Sequence, residues 1–163
     1  MTYRVEAASR DQLQLVHRIM LEAFAEYLGV LQPSSSSHLE SLDDVARAAA
    51  EGGAIIVWDD EVAVGSARYR RRDGYLNVER VAVLPAHRRR GIATLLMRWH
   101  EELAAQLGYS RVQVAVRMSL PSNLAFYYSL GYRLVGVEPH SKGPDMVATL
   151  VKVLRRECAH SEK

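Results

Sequence analysis

Apolar residues recur every three or four positions from Leu13 through Val16, Met20, Phe24 and Tyr27, which places them on one face of a helix. The polar start Ser9-Arg10-Asp11 offers that helix a cap. A serine-rich stretch, LQPSSSSH over 31–38, breaks the period and reads as a loop. Leu39, Leu42, Val45, Ala46 and Ala49 then resume helical spacing, and Gly52-Gly53 stops it. From residue 54 the period shortens to two. AIIVW (54–58), the turn Asp59-Asp60 and EVAVGSARYR (61–70) predict a hairpin, and RRDG (71–74) turns the chain into a third strand, YLNVERVAV (75–83). Beyond Pro85, the residues Ile92, Leu95, Leu96, Trp99, Leu103 and Leu107 mark one face of a longer helix that Gly108 ends. RVQVAV (111–116) is a strand, NLAFYYSL (123–130) a short helix stopped by Gly131, and Tyr132–Val137 and Met146–Leu154 two closing strands. The order predicts an α/β protein, a mixed sheet with helices on both faces.

Composition narrows the function. At 163 residues and 48% hydrophobic content the chain matches one ordinary domain, expected over 1–163 with a flexible tail at 155–163. Lysine and arginine number 21 against 19 acidic residues, a formal charge of +2, too small a field for non-specific nucleic-acid binding. The single cysteine, Cys158, excludes an internal disulfide and a cysteine-rich metal site. No metal is expected, and a reducing cytoplasm suits the chain. No run approaches the roughly 18 apolar residues of a membrane span, so neither signal peptide nor anchor is expected.

The chemistry concentrates in VAVLPAHRRRGIATLL (81–96), where a strand feeds a helix whose first turn brings glycine and small residues, Gly91 and Ala93, to the front. Such a helix start presents free N–H groups and a positive dipole end, an anion site. Gly91 lets the backbone approach a phosphate, Ala93 is small enough not to block it, and Arg88, Arg89 and Arg90 add charge at the rim. Neither GxxxxGK[ST] nor GxGxxG is present, which disfavours nucleoside triphosphatases and dinucleotide dehydrogenases. A solvated basic turn is the alternative at this point.

The segment RRRGIA (88–93) resembles the acetyl-CoA signature of the GCN5-related N-acetyltransferases, Q/R-x-x-G-x-G/A, and FYYSLGY (126–132) is similar to their F-Y-x-x-x-G-F/Y segment. The predicted element order is that family's too, over nearly the whole chain. The resemblance implies a sheet of about seven strands, mostly antiparallel, splayed between the strands the family counts as fourth and fifth, here 75–83 and 111–116. It implies acetyl-CoA as donor: the backbone of Arg88, Arg89, Arg90, Gly91, Ile92, Ala93 and Thr94 would cradle the pyrophosphate, and Val81, Ala82 and Val83 would bond the pantetheine arm like an added strand. An amide of Ala82 or Val83 would meet the carbonyl oxygen. Tyr127 matches the tyrosine that protonates the departing thiolate.

Glu79 stands two and four residues before Val81 and Val83, on the same face if the strand is unbulged. It is the candidate base, or else a structural charge beside Arg80. Where many relatives carry an asparagine, seven residues before the tyrosine, this chain has Leu120. LPSNLAFYY (120–128) instead resembles a bacterial subgroup in which Asn123 lies near the pantetheine, and capping of the short helix is its other role. His140 borders the acceptor site or is solvated. RYRRRDG (68–74) reads as a solvated hairpin tip. The implied reaction is N-acetylation of a small-molecule amine. A peptide or protein amine, and a noncatalytic acyl-CoA-binding module, are the alternatives. A homodimer through the last two strands is also left open.

Overall fold

The structure, a computed structural model, describes residues 2–155; Cys158 and all but the first residue of the expected tail lie outside the described residues. Eleven principal elements run β1 (Tyr3–Ala7), α1 (Leu13–Phe24), α2 (Leu42–Ala50), β2 (Gly52–Asp59), β3 (Val62–Arg71), β4 (Tyr75–Val83), α3 (Ile92–Gln106), β5 (Arg111–Arg117), α4 (Pro121–Ser129), β6 (Arg133–Pro139) and β7 (Met146–Val153). The strands form one sheet in the order β1-β2-β3-β4-β5-β7-β6. Only β4 and β5 are parallel neighbours.

The periodicities hold, with three local differences. β1 was not legible: YRVEA has only two large apolar side chains, Tyr3 and Val5, and it becomes a strand by pairing with β2 and packing both onto the core. The second helix begins at Leu42 rather than Leu39. Ser41 Oγ accepts from Asp44 N at 3.1 Å while Asp44 Oδ2 accepts from Ser41 N at 2.9 Å, a reciprocal cap that sets the start. Leu39 is left 87% exposed. Gly52 and Gly53 are part of β2 because Tyr69 lies against them: a Cβ on Gly52 would sit 2.2 Å from the Tyr69 carbonyl oxygen.

Two apolar layers flank the sheet. On one face Ile92, Leu96, Met97 and Ala104 of α3, with Tyr127 of α4, pack on Ile55, Val57, Val78 and Val114. On the other, Val16, Ile19, Met20 and Ala23 of α1 and Val45 of α2 pack on Ala54, Ile56 and Ala82. β2 therefore has an apolar residue at every position from 54 to 57, since both its faces are covered.

Two irregularities open the middle of the sheet. β4 and β5 pair only at Tyr75↔Arg111, Leu76↔Val112 and Asn77↔Gln113, and beyond Asn77 they part. On the other side of β4, Ser66 opposes Ala82 while Arg68 opposes Glu79, so β4 carries one residue more than β3 there. That is a β-bulge, and Arg80 within it has φ 54°.

Candidate active site

Where β4 and β5 part, a cavity of about 880 Å³ opens, walled by both strands, the end of α1, the start of α3 and α4. This is within the size range of small-molecule and cofactor sites. Val81, Ala82, Val83, Arg88, Arg89, Gly91, Ile92, Ala93, Thr94, Asn123, Tyr127, Glu79 and His140 all line it. Arg90 does not, and it is exposed.

The turn into α3 is left-handed twice, at Arg89 (φ 63°) and at Gly91 (φ 80°). Among the described residues the N–H groups of 89–94 have no backbone acceptor, and the helix ladder begins with Leu95 N donating to Gly91 O at 3.1 Å. Of these residues, 89 and 91–94 line the cavity, so the dipole end of α3 borders it. A Cβ on Gly91 would meet nothing within 4 Å, so the space beside it is open for a ligand. Arg88 plays another part: its guanidinium donates to Val83 O (3.3 Å), to Ala23 O (2.9 Å) and to Glu26. It ties the end of α1 to the end of β4.

Leu84 N donates to Val64 O on β3 at 3.0 Å. By the two-residue alternation of a strand, Val83, and Val81 before it, turn their backbone groups the other way, into the opening. Ala82 turns toward β3, and its side chain is buried against α1. Of the two amides expected to meet an oxygen, Val83 has the orientation.

Tyr127 is 9% exposed, with its ring edge-on to Phe126 and Tyr132. Burial, and secondarily the neighbouring Tyr27, push its hydroxyl well above the usual tyrosine range, so it holds its proton at neutral pH. Tyr128 is 41% exposed and does not line the cavity. Asn123 does not cap α4; Leu120 stands at the cap, with Pro121 opening the helix. Asn123 Nδ2 instead donates to the Tyr27 hydroxyl at 3.5 Å across the cavity. Tyr27 is raised chiefly by burial, which the Asn123 contact partly offsets. In the sequence Tyr27 falls on the apolar stripe of the first helix, and its position at the last turn before the serine loop is the signal that sets it apart.

Glu79 lines the cavity, but not on the face expected. The bulge puts Glu79 and Ala82 on the α1 side, whereas Val81 and Val83 pack toward α3. Glu79 Oε1 accepts from Arg68 Nε (3.2 Å) and Arg70 Nε (2.6 Å). The run RYRRRDG is correspondingly no solvated tip: Arg68 is 3% exposed, and only 72–74 make the turn.

A sequence model of the family described as "Acetyltransferase (GNAT) family" matches residues 13–132. The uncharacterized N-acetyltransferase YjcF of Bacillus subtilis (strain 168) is 31% identical over 132 residues, covering 80% of this chain and 85% of that protein. Among solved structures, Ard1 from Thermoplasma volcanium superposes with a TM-score of 0.80 at 16% identity, covering 96% of this chain and all of that one. The protein yncA from Salmonella typhimurium, solved with its cofactor acetyl-CoA, does so with a TM-score of 0.74 at 15% identity, covering 98% of both chains.

Proposed function

The chain belongs to the acetyltransferase (GNAT) family, and on that premise we propose that it transfers an acetyl group from acetyl-CoA to the primary amine of a small molecule. One observation carries the reading. Residues 89 and 91–94 with their unpaired N–H groups, the backbone of Val83 and the buried Tyr127 all line a single cavity. The first suits a diphosphate, the second a polarised carbonyl oxygen and the third a leaving sulfur.

Acetyl-CoA supplies the thioester. The start of α3 would hold its pyrophosphate, and the opened edge of β4 would take the pantetheine as an added strand. Val83 N–H would donate to the carbonyl oxygen as negative charge gathers on it. Tyr127 would give its proton to the sulfur as the C–S bond breaks and the amine nitrogen bonds the carbonyl carbon. The nitrogen must also lose a proton. Glu79 is the carboxylate lining the cavity on the strand that would bond the thioester, and a water between it and the amine would carry that proton, with Arg68 and Arg70 holding the carboxylate in place through Oε1.

The acceptor half supports a small, weakly charged amine. Arg80 pairs with Glu40 and Arg117 with Asp145, and Phe24, Leu31 and Val147 provide apolar wall. A panel of arylalkylamines, polyamines, amino acids and peptides incubated with acetyl-CoA, reading free thiol, tests this. Turnover with a compact apolar amine is expected, and Tyr127→Phe should cut kcat about 100-fold with CoA affinity retained. Turnover confined to peptides would move the reading to protein amines. CoA binding without thiol release across the panel would leave only a binding module.

A further inference from the structure

The bulge that turns Val81 and Val83 into the opening is built on a residue ill suited to it. Arg80 adopts φ 54°, a conformation that glycine tolerates and other L-residues rarely hold unless their surroundings enforce it. The surroundings here are specific. Arg80 donates to Glu40 Oε1 through Nε (3.0 Å) and Nη2 (2.7 Å), and Nη2 also donates to Ser36 Oγ at 2.8 Å. The same carboxylate receives a two-pronged contact from Arg68, Nη1 to Oε2 at 2.6 Å and Nη2 to Oε1 at 2.8 Å. Arg68 stands opposite Glu79, beside the bulge. Glu40 thus grips one arginine on each strand flanking the irregularity, and its own backbone is fastened by His17 Nε2 donating to Glu40 O at 2.7 Å.

The loop that carries Glu40 is anchored on the far side of the opening as well. Arg117 of β5 donates to Pro33 O (2.9 Å), to Ser34 O (3.4 Å) and to Asp145. Residues 33–40 therefore run from β5 to β4 across the gap, tied at both banks. Glu40, Arg68 and Arg80 are charged side chains largely withdrawn from water, a costly arrangement unless each is bonded, and each is. Two of them, Arg68 and Arg80, stand on the two strands at the bulge.

We propose that Glu40 is a positioning residue for acetyl transfer: by clamping Arg80 it holds the bulge of β4 in its left-handed conformation and so aims the backbone of Val81 and Val83 at the thioester. The proposal rests on the acetyl-transfer reading above. Glu40 itself does no chemistry, because both its oxygens are taken by arginines.

Comparison of two variants at one position separates backbone from side chain. Arg80→Ala and Arg80→Gly lose the same guanidinium, but only glycine adopts positive φ at no steric cost. Arg80→Ala should lower kcat about tenfold, with Arg80→Gly at least threefold better than alanine, and any loss of CoA affinity should follow the same order, since residues 89–94 are untouched and only the β4 edge moves. Glu40→Gln should lower kcat by a similar factor, and adding Arg80→Gly to it should recover most of the loss. In amide spectra, the Val81 and Val83 resonances should move in Arg80→Ala and Glu40→Gln and return toward their original positions when glycine is present. Should Arg80→Ala not fold, Glu40→Gln with and without Arg80→Gly decides alone. Equal losses in alanine and glycine would assign the guanidinium a direct role with substrate and overturn the proposal, as would no loss in any variant. The amide shifts need no turnover, so they judge the clamp even if no amine is acetylated, an outcome that would count against the activity instead.

Discussion

Gly91 and Arg90 are neighbours in a basic run, yet they face different tasks. Gly91 is left-handed and borders open cavity space, whereas Arg90 is exposed and outside the cavity. Gly91→Leu would combine about 1–2 kcal/mol of backbone strain with a side chain in the open space proposed for the pyrophosphate. CoA affinity measured by calorimetry should fall at least tenfold, against threefold or less for Arg90→Ala. The reverse order would mean that side-chain charge, rather than unpaired amides, holds the diphosphate. The motif positions were legible at this scale because a helix-start anion site is local: small residues, free N–H groups and a short turn all lie within one heptad of sequence. The use of Arg88 was not legible, since its partners Ala23 and Glu26 are more than sixty residues away.

At the scale of elements, the helices and strands followed from period and caps, and the departures came where a neighbour intervened. Gly52 shows this best. As a sequence feature it reads as a helix stop, but in the fold it is a strand residue whose missing Cβ admits the backbone of Tyr69. The obstacle is a carbonyl in a paired strand, which cannot swing aside. Gly52→Ala should therefore destabilise the protein by about 1–3 kcal/mol in urea titrations, without changing CoA affinity if the folded fraction is compared. A loss much below this would show that β2 and β3 slide apart easily.

For the whole molecule, acid is the informative stress. His100 is fully buried on α3, its Nδ1–H donating to Leu96 O at 2.6 Å, while its Nε2 has no partner among the described residues. Burial lowers its pKa from 6.5 to about 4, against the smaller opposing effect of the Leu96 bond. The unfolded chain takes up this proton near 6.5 and the folded chain refuses it until about 4. Its contribution is thus complete above pH 6.5 and lost as pH falls toward 4, on the order of 3 kcal/mol. Glu40 adds a second limb. Burial alone would raise its carboxyl, but bonds from Arg68 and the charge of Arg80 outweigh this and hold it below its ordinary 4.5, so its share is kept above 4.5 and lost below. Denaturation midpoints should fall across pH 6.5–4, and His100→Leu should flatten that limb while leaving the one below 4.5. An unaltered slope in His100→Leu would assign the acid sensitivity elsewhere.

The alternation of apolar positions, the caps and the helix start after Gly91 are properties of neighbouring residues, and for that reason the sequence alone determined the element order, the layered α/β architecture and the turn into α3 with its unpaired N–H groups. Which way Glu79 points was decided only in three dimensions: one extra residue in β4 inverts the face of everything beyond it, and a strand's period cannot register an insertion whose partner strand is unknown. The grouping of Glu40, Arg68 and Arg80, and of Tyr27 with Asn123, came likewise from tertiary structure. Each pairs residues whose separation along the chain carries no information about their distance in space, and it is the packing of α1, α2 and their loop across the parted strands that brings them together.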